Sequence, residues 1–141
     1  VLRFCTPLRS HWLQDDARAV ADAYELPARY FMVCNQFWSH KNHLALFRAI
    51  AQLRRALPDL CVVCTGKLEE YRDPTYTQAL KALLEAEGLE AHVKLLGLIP
   101  RSDQVQLMRR ALAIVQPSRF EGWSTVVEDA KALGKTLILS N

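Results

Sequence analysis

Five short runs of β-branched and aromatic residues recur along this chain, each separated from the next by a longer segment whose apolar residues follow a helical period. The runs are Tyr30–Asn35, Leu60–Thr65, His92–Gly97, Leu112–Gln116 and Thr136–Ser140. Apolar stretches this short read as strands, and the intervening segments are long enough for helices. Strands connected through helices must run parallel, because a tight hairpin cannot join them. Right-handed crossovers then put the helices on both faces of an open sheet. The rhythm therefore predicts an α/β fold with a parallel sheet of about five strands.

Capping signals mark the helices. The first helical segment follows Ser39–Asn42, carries Leu46, Phe47, Ile50, Leu53 and Leu57 on one face and ends at Pro58-Asp59. The second opens on Asp73-Pro74, carries Leu80, Leu83 and Leu84, and stops at Gly88. The third starts at Ser102 and the fourth near Ser124, with Gly134 just past its end. Residues 1–28 stand outside the repeat: an apolar Val1–Phe4 stretch precedes a polar, helix-capable Asp15–Tyr24. We read 1–28 as a lead-in from something upstream and 29–141 as one domain, since 141 residues, half of them apolar, suffice for a single core.

Charge and cysteine usage narrow the function classes. The net charge of +3 comes from Lys and Arg interspersed with acids, which suits an anionic small ligand better than a nucleic-acid track. No apolar run reaches the roughly 20 residues of a membrane span. The first twelve residues lack the pattern of a signal peptide. The expected location is the cytoplasm, with attachment to the inner face of a membrane left open for a full-length protein. Cys61-Val62-Val63-Cys64 spells C-x-x-C but sits inside a strand pattern, where positions three apart face opposite sides. A core role for these thiols is expected, in a reducing compartment. His40-Lys41-Asn42-His43 has no carboxylate or third His to complete a metal set and reads as a solvated helix start.

In open parallel sheets, ligands sit at the carboxyl ends of the strands. Neither G-x-G-x-x-G nor a Walker A loop occurs; Gly66-Lys67 is followed by Leu68. The informative stretch is Pro117-Ser118-Arg119-Phe120-Glu121-Gly122-Trp123-Ser124-Thr125-Val126-Val127-Glu128-Asp129-Ala130, which leads from a buried strand through a loop into a helix. Free amides and the positive end of a helix dipole suit a diphosphate there. At about 100° per residue, Val126, Val127, Ala130 and Leu133 centre the buried face. Glu128 is then expected to face water, and Asp129 to lie at the edge of the core stripe.

These residues carry a resemblance. Pro117-Ser118, Glu121-Gly122-Trp123, Asp129-Ala130, Gly134 and Thr136–Asn141 resemble the signature of retaining GT-B glycosyltransferases of the family 4 type: P-S, E-G-F-G-L-P, E-A, then G-x-P-V-I-x-S-N. Lys41-Asn42, Pro58-Asp59 and Gly97 match further upstream positions, so the similarity covers Tyr30 to Asn141. The chain departs from the pattern at three places. Gln36 stands where the family has an arginine, Ser124-Thr125-Val126 replaces G-L-P, and Asp129 is one methylene shorter than the second glutamate.

The resemblance implies a Rossmann-like sheet that forms the C-terminal, donor-binding half of a GT-B fold, with a strand and helix expected to follow Asn141. It implies a nucleotide-diphospho-sugar as donor, no cofactor or metal, and an acceptor held by a separate N-terminal domain, so that the fragment alone is inactive. Lys41, helped by Gln36, would hold the diphosphate, and the amides of Gly122, Trp123, Ser124 and Thr125 would bind phosphate and sugar. Glu121 would be the catalytic contact to the donor sugar and Asp129 the ribose contact; from fold position alone, Gly97, Leu98 and Ile99 would line the base pocket. Two other readings stay open: a non-catalytic nucleotide-sugar-binding module, and half of a sugar-nucleotide epimerase.

Overall fold

The structure, a computed structural model, describes residues 8–69 and 73–140. Ten main elements follow in order: α1 (Ala17–Ala23), β1 (Phe31–Cys34), α2 (His43–Leu53), β2 (Val62–Thr65), α3 (Pro74–Ala86), β3 (Val93–Gly97), α4 (Arg101–Arg110), β4 (Ile114–Gln116), α5 (Thr125–Ala132) and β5 (Leu137–Leu139). The strands form one parallel sheet in the order β3-β2-β1-β4-β5, with Phe31 opposite Val62 and Met32 opposite Ile114. From β1 the chain first winds outward through β2 and β3, then returns to the other side of β1. The crevice between the ends of β1 and β4 is thus the point where the winding reverses, the place where such sheets bind ligands.

Alternation along each strand feeds two cores. Met32, Cys34, Cys61, Val63 and Ile114 pack with α1, α4 and α5; Val33, Val62, Cys64 and Val115 pack with α2 and α3. Cys61 and Cys64 therefore point to opposite faces, as a strand requires. Burial raises the Cys34 thiol to about 12 and pushes Cys64 up as well, so both behave as small hydrophobes. Cys5 lies outside the described residues.

Helix limits follow the sequence signals with two exceptions. The side chain of Ser124 caps α5 by accepting the Val127 N–H at 3.3 Å, and Gly134 closes it in the left-handed region at φ +62°. By contrast, α4 starts at Arg101 rather than Ser102, with Pro100 in the cap position: proline fixes the entry angle without a side-chain cap. In α2 the buried residues are His43, Phe47 and Ile50. Burying Phe47 and Ile50 is worth about 1.5–3 kcal/mol each. Leu53 and Leu57, expected on that face, are exposed, because the helix ends at Leu53 and leaves Leu57 in the following turn.

The segment before β1 is fastened to α4. Ala21 is buried, the Tyr24 hydroxyl donates to Asp103 at 2.7 Å, and Gln106 and Arg109 donate to the backbone carbonyls of Trp12 and Asp15. The Val1–Phe4 stretch lies outside the described residues. Among the described residues no helix is long and apolar enough to cross a membrane.

Candidate functional site

A cavity of about 370 Å³ opens where β1 and β4 end. Two apolar strands finish here in buried amides, of which Asn35 lines the cavity. Asn35 follows β1 and Gln116 closes β4, and Asn35 Nδ2 donates to Gln116 Oε1 at 3.3 Å. That bond turns the Gln116 amide nitrogen toward the loop, where it donates to Glu121 Oε1 and, at 3.1 Å, to Ser124 Oγ. The same Glu121 oxygen accepts Lys41 Nζ at 2.6 Å. The loops after β1 and β4 are thereby tied together by a mostly buried ion pair. Burial alone would raise the Glu121 carboxyl, but hydrogen bonding and the Lys41 charge outweigh it and hold the group below its ordinary value. Glu121 is an anion at neutral pH.

Donors converge on the same space. Gln36 Oε1 accepts the Lys67 backbone N–H at 2.7 Å, which fixes the amide orientation and leaves its NH₂ as the end able to donate. The cavity wall includes Thr125 and Val126 at the start of α5, where the first amides have no intrahelical partner. Close packing of backbone beneath the site depends on Gly66: a Cβ there would stand 2.2 Å from the Asn35 carbonyl oxygen, at φ +129°.

Asp129 is buried, with Oδ2 2.6 Å from Arg101 Nη2, while Oδ1 has no hydrogen-bond partner. It forms no part of the cavity wall; Arg101 does. Glu128 is half-buried and paired with Lys131 at 2.9 Å, rather than simply facing water. His40 and His43 do not form a solvated pair. Asn42 takes a left-handed conformation (φ +60°) and turns the chain inward, so His43 is fully buried and stacks on Phe37. His40 stacks on Phe120, which is two-thirds exposed. Among the described residues no three His, Cys, Asp or Glu side chains gather as a metal site would need.

The model of the family "Glycosyl transferases group 1" matches residues 18–141. The chain belongs to this family. Solved glycosyltransferases share its fold. Anabaena HepE in complex with UDP is 22% identical over 86% of this chain and 32% of its own, with a TM-score of 0.75. A glycosyltransferase from Rickettsia africae is 21% identical over 95% of this chain and 34% of its own, at 0.76. The C-terminal domain of LpcC, a glycosyl transferase group 1 family protein from Francisella tularensis, is 20% identical over 89% and 65%, at 0.73. The chain thus spans about a third of the length of the first two. No curated protein matches it.

Within this family's fold, the wall contains Gln36, Lys41, Leu98, Ile99, Glu121, Trp123, Ser124 and Thr125. Gly97, which ends β3, and Gly122, in the loop after β4, are not part of the wall, and the Gly97 carbonyl accepts the Gly66 N–H at 2.8 Å. Sequence reasoning missed Asn35, Gln116, Arg101 and Gln104. A signal existed for the first two, since a polar residue closing an otherwise apolar parallel strand sits where ligands bind. Arg101 also follows a strand's carboxyl end, but nothing marked its pairing with Asp129, a contact between two different helices.

Proposed function

We propose that this chain is the donor-binding half of a retaining glycosyltransferase of the family 4 type, holding a nucleotide-diphospho-sugar for transfer to an acceptor on another domain. The observation that carries the reading is the Lys41–Glu121 pair set against the start of α5, at the point where the sheet's winding reverses. Lys41, the Gln36 amide and the first amides of α5 supply fixed donors for a diphosphate. Such donors stabilise the charge that builds on a departing diphosphate, without reorganising at the moment of reaction. Glu121, kept anionic, faces the donor sugar as positive character develops at its anomeric carbon. Leu98 and Ile99 offer an apolar wall for a nucleobase. The acceptor, its domain and cytoplasmic action belong to the same proposal, which assigns no metal a part.

Calorimetry with UDP and uridine tests this. Lys41→Ala is expected to weaken UDP binding by about tenfold or more, the worth of one charge-assisted hydrogen bond, and to leave uridine binding unchanged. Equal losses for both ligands would remove Lys41 from the diphosphate site. Failure of the unaltered chain to bind UDP, GDP or ADP would overturn the reading as a whole.

A further inference from the structure

Resting on that reading, we infer that Arg101 is a ligand-contacting residue of the site and that Asp129 is a positioning residue holding it there, so this corner of the cavity donates hydrogen bonds to an oxygen acceptor instead of accepting them from a sugar diol. Three observations lead to this. The Asp129 carboxylate is only 2% exposed and absent from the cavity wall, whereas the Arg101 side chain is about one-third exposed and part of it. One Asp129 oxygen is taken by Arg101 Nη2 at 2.6 Å. The guanidinium is braced on its other arm, where Nη1 donates to Gln104 Oε1 at 2.7 Å, and Gln104 Nε2 donates in turn to Thr65 Oγ1 at 3.2 Å.

A vicinal diol needs a carboxylate it can reach, and this one is shielded from the cavity with one oxygen on Arg101. A guanidinium has five N–H donors and no acceptor. The two bonds above use two of them and fix the plane of the group, which reduces the ordering cost of binding. What Arg101 can recognise is an oxygen acceptor of the nucleotide: a phosphate oxygen or a base carbonyl. The shorter acid fits this arrangement, since α5 brings Asp129 within direct reach of the start of α4 and its side chain ends at Arg101.

The test is titration of the unaltered chain and of Arg101→Met, Asp129→Asn and the double variant with UDP and 2′,3′-dideoxy-UDP. Arg101→Met is expected to weaken both ligands about tenfold or more. Asp129→Asn is expected to weaken both by one common, smaller factor, and to add nothing once Arg101 is Met. Because Arg101→Met strands a buried carboxylate, the double variant replaces it if the single variant does not melt cooperatively. Uridine and inorganic pyrophosphate locate the acceptor: a loss confined to pyrophosphate assigns phosphate and a loss confined to uridine assigns the base, and either supports the inference. Unchanged UDP affinity in the Arg101 variants, or a loss restricted to the ribose form in any variant, overturns it. If the unaltered chain binds no nucleotide, the functional reading itself fails and takes the inference with it.

Discussion

Lowering the pH should unfasten this domain through His43. The imidazole is fully buried, stacked on Phe37 with ring centroids 4.1 Å apart, and neither ring nitrogen has a hydrogen-bond partner. Burial, and secondarily the charge of Lys41, lowers its pKa from 6.5 to about 4. The folded form thus keeps the ring neutral while the unfolded chain protonates it near 6.5. Stability is fully present above 6.5, is lost as pH falls toward 4, and changes no further on this residue's account below that. A shift of about 2.5 units corresponds to about 3 kcal/mol at 1.36 kcal/mol per unit. Urea unfolding followed by circular dichroism at intervals from pH 7.5 to 4 measures the loss. His43→Phe, which retains an aromatic ring against Phe37, should remove most of the slope between 6.5 and 4 while leaving the contribution of carboxylates in place. Parallel stability curves for the two proteins across that window would refute the argument.

Two further outcomes follow from backbone geometry. Gly66→Ala should cost about 3 kcal/mol or more, since the new methyl meets backbone rather than a movable side chain; a melting temperature equal to that of the unaltered chain would contradict it. Ser124→Ala should cost about 1 kcal/mol through the lost cap on α5, read from the urea midpoint at constant slope.

The fold was legible because its signals are local. Each apolar run contains a strand, and Asp73-Pro74, Ser124 and Gly134 mark helix ends by their own backbone preferences. Lys41, Glu121 and Ser124 were expected where loops follow strands, and the structure brings the three to one cavity wall. What stayed hidden depends on distance in space. His43 looked like part of a solvated helix start because nothing in its neighbourhood shows that Asn42 takes a left-handed conformation. The pairing of Arg101 was not readable, since its partner is 28 positions away on another helix. Leu53 and Leu57 show the converse error: the period assigned burial to the last residue of α2 and to one beyond its end, and both are exposed.

The pairing of Lys41 with Glu121 and of Arg101 with Asp129 also bears on how fast anything can arrive. Among the described residues, each cation of the cavity wall has a carboxylate beside it, so these two pairs add little long-range field toward an approaching anion. Steering of that kind is what lifts association far above the orientation-limited rate. On the proposed function, a diphosphate would gain its contacts to these two cations only after arrival, through N–H groups that their carboxylate partners leave open. Discrimination between ligands then resides in how long each stays.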